Sequence, residues 1–361
     1  MGEIRPDRSA MRKATLRDVG KLAKVDPSLV SRVLNNDPNA SASPQTKKRI
    51  LDAAKKLNYT TNVSARNLKL ASTKTIGLLL SDLTNPTNDL IAHGALQRAA
   101  ELGYDVIIAN HSDIGGDKTF VKMLSQGHVD GILAFVNSVN EAEFEELSDK
   151  RFGRILPMNG KLKGIDCSVS VDDGLASEMC VDHLVSLGHK NIVGIFAPLN
   201  LDSPTRRAAG FKKACKRHGI EAKIISTQGY TQRDGYLATL EAISKYSPTA
   251  IFPSSNAYVL GTYRAIYESK LSIPDDISVM TVHNSEITEF MSPPLTNVML
   301  PAGEMGRVAA EKLISMIDGQ KIGHMTVGIP PRLVLRSSTA KVNPHSSRNS
   351  ELRHLKPTSA S

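Results

Sequence analysis

From Thr75 onward the chain alternates short apolar runs with amphipathic stretches. Eight runs read as strands: IGLLLSD (76–82), YDVIIAN (104–110), GILAFV (131–136), RILPMN (154–159), NIVGIFA (191–197), AKIIS (222–226), AIFPSS (250–255) and ISVMTV (277–282). The apolar positions are consecutive rather than alternating, so both faces of each strand are expected to be buried. With helical stretches between the runs, the pattern predicts an α/β architecture of parallel sheets covered by helices. The units are too many for one mononucleotide-sized sheet. Two doubly wound lobes fit, with ligand groups expected at the carboxyl ends of the strands.

The first quarter of the chain has a different rhythm. Residues 1–13 show no periodicity and read as disordered, as does the tail 341–361. Thr15 then caps a short helix, with Asp18 completing a capping-box pattern and Leu16, Val19, Leu22 and Ala23 as its apolar face. The chain breaks at Lys24-Val25 and restarts at Asp26-Pro27, an N-cap followed by proline at the first helical position. In this second helix Val30, Val33 and Leu34 point inward, and Pro27, Ser28, Ser31 and Arg32 lie on or near the other face. Ser43-Pro44 opens a third helix with Ile50, Leu51, Ala54 and Leu57 on its buried side. Asn62 to Leu68 is a helical scrap too short to be stable alone.

Two short helices joined by a tight turn have helix-turn-helix form. A helix fits the major groove of DNA, small residues at its start let it approach, and an Arg can make a bidentate contact to guanine. The same pattern also fits an ordinary αα-hairpin. Charge bears on that choice. The net charge of +9 is divided unevenly: residues 1–74 carry +10, residues 75–340 carry −4 and the tail carries +3. A basic helical head on a slightly acidic body suggests a polyanion-binding module carried by something else.

Other classes find less support. No apolar run approaches the ~20 residues needed to span a bilayer, and the charged first residues do not form a secretory signal. The three cysteines are scattered and read as reduced, buried thiols in a cytosolic protein. There is no GxGxxG, Walker, HExxH or GxSxG motif, and no nucleophile–base spacing. Neither an enzyme nor a cofactor is expected, and the scattered histidines are not expected to hold a metal.

The runs TLRDVGKLAKVDPSLVSRVLNN, SPQTKKRILDAAKKLNY, NVSARNLK and TKTIGLLLSDLTNP together resemble the lactose-repressor family of bacterial transcription regulators, from about Thr15 to Thr339. The resemblance implies a homodimer that sets two helix-turn-helix units on a palindromic operator in double-stranded DNA. It assigns DNA contact to Thr15, Leu16, Pro27, Ser28, Ser31, Arg32, Asn35 and Tyr59 in a domain over 14–61. It makes 62–74 a hinge helix and linker. Asn62 opens that helix, Ala65 lets two hinge helices approach, and Leu68 wedges a base step in the minor groove. The body, 75–340, then resembles a periplasmic sugar-binding protein. One lobe spans about 75–170 and 299–328, the other about 171–298 and 329–339, with a small-molecule effector in the cleft between them.

The implied effector contacts are Asn85, Thr87, Arg207, Asn256 and His283. Arg207 falls where the family grips effector oxygens, and its neighbour Arg206 reads as an ordinary surface residue. This sequence departs from the family pattern at several places. Lys24 stands for a turn Gly, Gly20 for Ala, Leu29 for Thr, and Thr61 for Pro. Thr87 and Asn88 replace aromatics that stack on a ring. Asn256, His283 and Asn284 stand where carboxylates are usual. Losing those carboxylates while keeping Arg207 shifts the expected pocket toward positive, and so toward an anionic sugar derivative. Alternatives are a solute-binding transport protein, or a regulator that answers to a partner protein.

Overall fold

A computed structural model describes residues 14–35, 37, 39–59, 72–80, 85–110, 124, 126–136, 154–283 and 285–342. The chain divides into two compact units, 1–73 and 74–361.

The first unit holds three helices, α1 (Leu16–Ala23), α2 (Pro27–Leu34) and α3 (Pro44–Lys56). Each begins on a side-chain cap. Thr15 Oγ1 accepts from the Asp18 amide at 3.3 Å while Asp18 Oδ2 accepts from the Thr15 amide at 2.9 Å. Asp26 accepts from the Ser28 amide and Ser43 from the Thr46 amide. These caps supply partners for donors that a helix start otherwise leaves unpaired. The core is Val19, Ala23, Val30, Val33, Ile50, Ala53 and Ala54. Two residues expected in it are not: Leu22 is 44% exposed and Leu51 is 54% exposed. The inward stripes follow strict i, i+3, i+4, i+7 spacing, through 16, 19, 20 and 23 on α1 and through 50, 53, 54 and 57 on α3. Leu22 and Leu51 each fall about 100° off their stripe.

Gly20 lies on that stripe for a steric reason. A Cβ there would sit 2.9 Å from the Val25 carbonyl oxygen. The turn after α1 folds back over Gly20, with Lys24 in the left-handed region at φ 53°.

The second unit contains two six-stranded sheets. In chain order its elements are β1 (Thr75–Leu80), α4 (Pro86–Glu101), β2 (Asp105–Asn110), β3 (Gly131–Phe135), β4 (Arg154–Met158), β5 (Ser168–Ser170), α5 (Asp173–Ser186), β6 (Ile192–Phe196), α6 (Asp202–Arg217), β7 (Lys223–Ser226), α7 (Gln232–Tyr246), β8 (Ala250–Pro253), α8 (Val259–Glu268), β9 (Ser278–Val282), α9 (Glu286–Phe290), β10 (Thr296–Met299), α10 (Ala302–Ile317), β11 (His324–Thr326) and β12 (Arg332–Val334). The sheets run β11-β5-β4-β3-β1-β2 and β12-β10-β9-β8-β6-β7. All pairings are parallel except β10 with β12.

Both sheets therefore repeat one winding: the second strand outside the first, then a reversal to the third, fourth and fifth. The reversals fall between β1 and β3 and between β6 and β8, and a doubly wound sheet opens its ligand crevice at such a switch point. Sheet membership puts the chain's passages between lobes at 171–172, at 300–301 and between β11 and β12.

The eight apolar runs each contain a strand, trimmed by a residue or two; residues 81–84, at the end of the first run, lie outside the described residues. Packing is close in both lobes. In the first, α4 and α10 cross at glycine: a Cβ on Gly94 would come within 1.9 Å of the Gly303 carbonyl. In the second, Phe196, Phe211 and Phe252 form a ring cluster with centroids 5.5–5.9 Å apart. All three cysteines are free and buried.

Candidate functional site

The carboxyl ends of strands from both sheets converge on a cavity of about 140 Å³. The first lobe contributes Asn85, Thr87 and Asn88 at the start of α4, Phe135 at the end of β3 and Asn159 just after β4. The second contributes Ser203 and Arg207 from the first turns of α6, Tyr230 before α7, Ser255 after β8 and His283 after β9. Asn85 caps α4, accepting from the Thr87 amide at 3.0 Å.

Arg207 is 5% exposed and its guanidinium is already engaged. Nε donates to Asp173 Oδ1 at 2.7 Å, Nη1 to the Ser254 carbonyl at 2.6 Å and Nη2 to His283 Nε2 at 2.6 Å. These contacts spend three of the five N–H donors that a guanidinium carries. Asp173 has a fully buried side chain at the first helical position of α5, where the unpaired amides of a helix start favour negative charge. Its carboxylate is the one that a count of missing acids at 256, 283 and 284 overlooks. It balances Arg207, so the expected shift to a positive pocket does not hold around that guanidinium.

Arg206 also differs from its sequence reading. It is no free surface side chain: its Nε donates to Asp202 Oδ1 at 2.6 Å, its Nη1 to the Val171 carbonyl at 3.1 Å, and its Nη2 to the Asn159 carbonyl at 3.0 Å and to Asn159 Oδ1 at 3.2 Å.

His283 carries backbone strain where a side chain is aimed inward. It sits at φ +72°, and Asn159 across the cavity at φ +55°. Non-glycine residues in that region cost of order 1–3 kcal/mol each and collect at functional sites. Burial, then the neighbouring Arg207 charge, hold the His283 imidazole well below its ordinary range, so it is neutral. Its Nδ1 has no hydrogen-bond partner among the described residues. Asn256 is buried behind Ser255 and is not on the cavity wall; its Nδ2 donates to Ser285 Oγ at 3.4 Å and its Oδ1 accepts nothing among the described residues.

Sequence reasoning passed over Phe135 and Tyr230. Thr87 and Asn88 offer no ring, but these two aromatics do, one from each lobe. Phe135 ends a strand run, which is the position from which ligands are reached in such sheets. Tyr230 stacks on Tyr258 with centroids 6.1 Å apart, and burial raises its hydroxyl pKa. Tyr230 carries no local signal beyond standing before the Thr231 cap.

In the helical unit, Ser28, Ser31, Arg32 and Asn35 fall at i, i+3, i+4 and i+7 on the outer side of α2. Ser28, Arg32 and Asn35 are exposed and Ser31 is half-buried. Asn35 Nδ2 donates to the Ser31 carbonyl at 2.8 Å, which fixes the end of the stripe. Pro27 is half-buried at the start of α2, Thr15 is spent as a cap, and Leu16 and Tyr59 pack against the core. Asn62, Ala65 and Leu68 lie outside the described residues, as does Asn284.

A model of the family described as bacterial regulatory proteins, lacI family, matches residues 15–62. One described as a periplasmic binding protein-like domain matches residues 181–339. Over 330 residues the chain is 30% identical to the ribose operon repressor of Escherichia coli strain K12, spanning 90% of this chain and 99% of that protein. Over 334 residues it is 29% identical to the HTH-type transcriptional repressor PurR of Mannheimia succiniciproducens, spanning 91% and 99%. Among solved structures, the lac repressor dimer bound to operator and the anti-inducer ONPF aligns with a TM-score of 0.80 at 26% identity, over 91% of this chain and 100% of that one.

Proposed function

The chain belongs to the lacI family of bacterial regulatory proteins, and from that premise we infer how its two units divide the work. It is a sequence-specific DNA-binding repressor. It acts as a homodimer on a palindromic operator and is controlled by a small molecule in the body. The outer stripe of α2 reads the major groove: Ser28 and Ser31 allow close approach and Arg32 supplies the base contact. Asn62, Ala65 and Leu68 form a hinge helix that folds on the operator, with Leu68 as the wedge in the minor groove. The transport reading leaves the basic helical head without a role.

The effector is a small polyhydroxylated ring of monosaccharide size, taken between Phe135 and Tyr230. The single observation that carries this class is the Asp173–Arg207 pair. Because the guanidinium charge is already balanced, its two unspent N–H donors suit hydroxyl oxygens better than a second carboxylate. That revises the anionic sugar derivative expected from the missing carboxylates. The amides of Asn85, Asn88 and Asn159 and the hydroxyls of Thr87, Ser203 and Ser255 add neutral donors and acceptors.

Control follows from linkage. The effector sits between two lobes, so it favours the lobe arrangement whose cleft fits it, and operator DNA favours the arrangement that lets the hinge segments pair. Each ligand shifts the other's affinity by its differential affinity for the two arrangements. The test is a melting-temperature screen of the full chain against neutral pentoses and hexoses, the matched sugar acids, and nucleobases. A neutral sugar is expected to give the largest rise. A larger rise with a sugar acid or a nucleobase overturns the assignment.

A further inference from the structure

Arg206 and Arg207 are neighbours on one helix of the second lobe, and both reach the same buried carboxylate. Arg207 Nε takes Asp173 Oδ1, while Arg206 Nη2 stands 2.9 Å from Asp173 Oδ2 as an ion pair. The hydrogens of Arg206 Nη2 are directed instead at Asn159, so Asp173 Oδ2 accepts no hydrogen bond among the described residues. Asn159 belongs to the first lobe and lines the ligand cavity. Arg206 Nη1 is meanwhile fixed to the Val171 carbonyl, at a passage of the chain between lobes. One side chain thus ties together the second lobe, a cavity-lining residue of the first, and the segment that connects them.

The surroundings make this tie matter. Arg206, but not Arg207, also borders a second cavity, of about 280 Å³, whose lining includes Gly160, Lys161, Ser168 and His324 from the first lobe and Asp202 from the second. Asn159 and Arg206 therefore bridge the lobes between two open spaces, where apolar packing contributes little. At Gly160 the lobes come within van der Waals reach: a Cβ there would sit 3.1 Å from the Asp202 Cβ. Asp202 in turn holds Arg206 Nε, so the close approach at Gly160 places the guanidinium opposite Asn159.

We propose that Arg206 is a positioning residue that clamps the two lobes in the arrangement described here before any effector arrives, acting through Asn159 and the Asp173 carboxylate that it shares with Arg207. The clamp lowers the cost of closing the cleft on a ligand, because part of the ordering is already done. It also couples the effector site to lobe spacing. By linkage, a ligand that fits the clamped cleft and takes the unspent donors of Arg207 favours the same arrangement, so ligand and clamp reinforce each other. The inference rests on reading the cleft as the effector site, but its test uses no effector, so the two can fail separately.

The test is a distance measurement between spin labels on Lys216→Cys of the second lobe and Gln320→Cys of the first, both exposed positions. The labelled full-length chain is diluted into unlabelled protein, so that each dimer carries one labelled protomer. The Arg206→Leu variant is expected to raise the open-to-closed ratio by about tenfold or more, the factor that losing a hydrogen bond to a charged group implies. Asn159→Gly removes the Oδ1 acceptor but keeps the carbonyl that Arg206 Nη2 also reaches, so it should raise the ratio by a smaller factor, and the double variant should open no further than Arg206→Leu. A distance distribution unchanged in Arg206→Leu overturns the proposal. So does a double variant whose effect is the product of the two single ones, because that outcome means the residues act independently. Arg206→Leu also removes the Asp202 and Asp173 pairs, whereas Asn159→Gly leaves both in place and reads the Asn159 side-chain part of the clamp.

Discussion

Nη2 of Arg207 lies 2.6 Å from Nε2 of His283. A guanidinium has only protons to offer, so that imidazole nitrogen must present its lone pair and the ring proton must sit on Nδ1. The contact therefore sets the tautomer of His283 and penalises a second proton on the ring. It gives the cavity wall a neutral hydrogen-bonding group at a position where the family usually has a carboxylate.

The pH dependence of stability follows from that contact. Burial and then Arg207 depress the His283 pKa well below its ordinary value, and burial lowers His183 and His189 in the same direction. In each case the unfolded chain takes up a proton near pH 6.5 and the folded chain only at lower pH. Stability is thus full above about pH 6.5 and falls as the pH drops below it, by up to about 1.4 kcal/mol per unit for each such residue. Urea unfolding of His283→Gln, followed from about pH 7 to about pH 5.5, should show a shallower loss than the parent chain. Parallel curves would mean that His283 does not stay neutral in the folded state.

Asp173 and Arg207 should behave as a unit. Arg207→Ala leaves a fully buried carboxylate with only Arg206 nearby, and breaking a buried pair from one side typically costs about 3–5 kcal/mol. Arg207→Ala combined with Asp173→Ala should cost clearly less than the two single changes summed, measured as denaturation midpoints with unchanged slope. Asp173→Asn should also turn ligand preference toward sugar acids, because the guanidinium then lacks its counter-charge. Additive stabilities together with unaltered preference would separate the two residues.

The parallel strands were legible because burial on both faces turns each into an unbroken apolar run, and the helix starts because Thr15, Asp26 and Ser43 are cap residues. The strands at 168–170, 296–299, 324–326 and 332–334 were not, since SVS, TNVM, HMT and RLV are three or four residues long and lie at or beside sheet edges, with few apolar positions to mark them. Arg207 was legible through the motif RRAAGF. Asp173 was not, because an Asp at a helix start reads as a local cap, and only tertiary placement brings it to a guanidinium on another helix. Arg206 was misread for the same reason: apart from Asp202 on its own helix, its partners lie far off in sequence, at Asn159 and Val171.

The turn of the helical unit makes opposite predictions for two neighbouring positions. Lys24 is held at φ 53°, where an L side chain is strained, so Lys24→Gly should raise the melting temperature of the first unit, by about 0.4–1 kcal/mol of stability at most. Gly20 is mid-helix, where helix propensity alone predicts that Gly20→Ala gains up to about 1 kcal/mol. The structure reverses that expectation, since the new Cβ would meet the Val25 carbonyl oxygen at 2.9 Å. Calorimetry of the full chain should show the first unit melting later in Lys24→Gly and earlier in Gly20→Ala. A later transition in Gly20→Ala would mean that the turn relaxes at little cost.

Arg32 tests whether the outer stripe of α2 reads bases or only holds the phosphate backbone. It is exposed, one turn beyond Ser28 and beside half-buried Ser31, so small residues flank the one long donor on that face. A bidentate contact to guanine is worth about 1–3 kcal/mol of discrimination, whereas a phosphate contact carries none. With an operator selected from random duplexes, Arg32→Ala should lose that amount on the selected site. It should bind unrelated DNA almost as the parent does, and the salt dependence of operator binding should change little. Uniform weakening on both duplexes, with a salt slope reduced by about one, would reassign Arg32 to the backbone. Base reading would then fall to Ser28, Ser31 and Asn35.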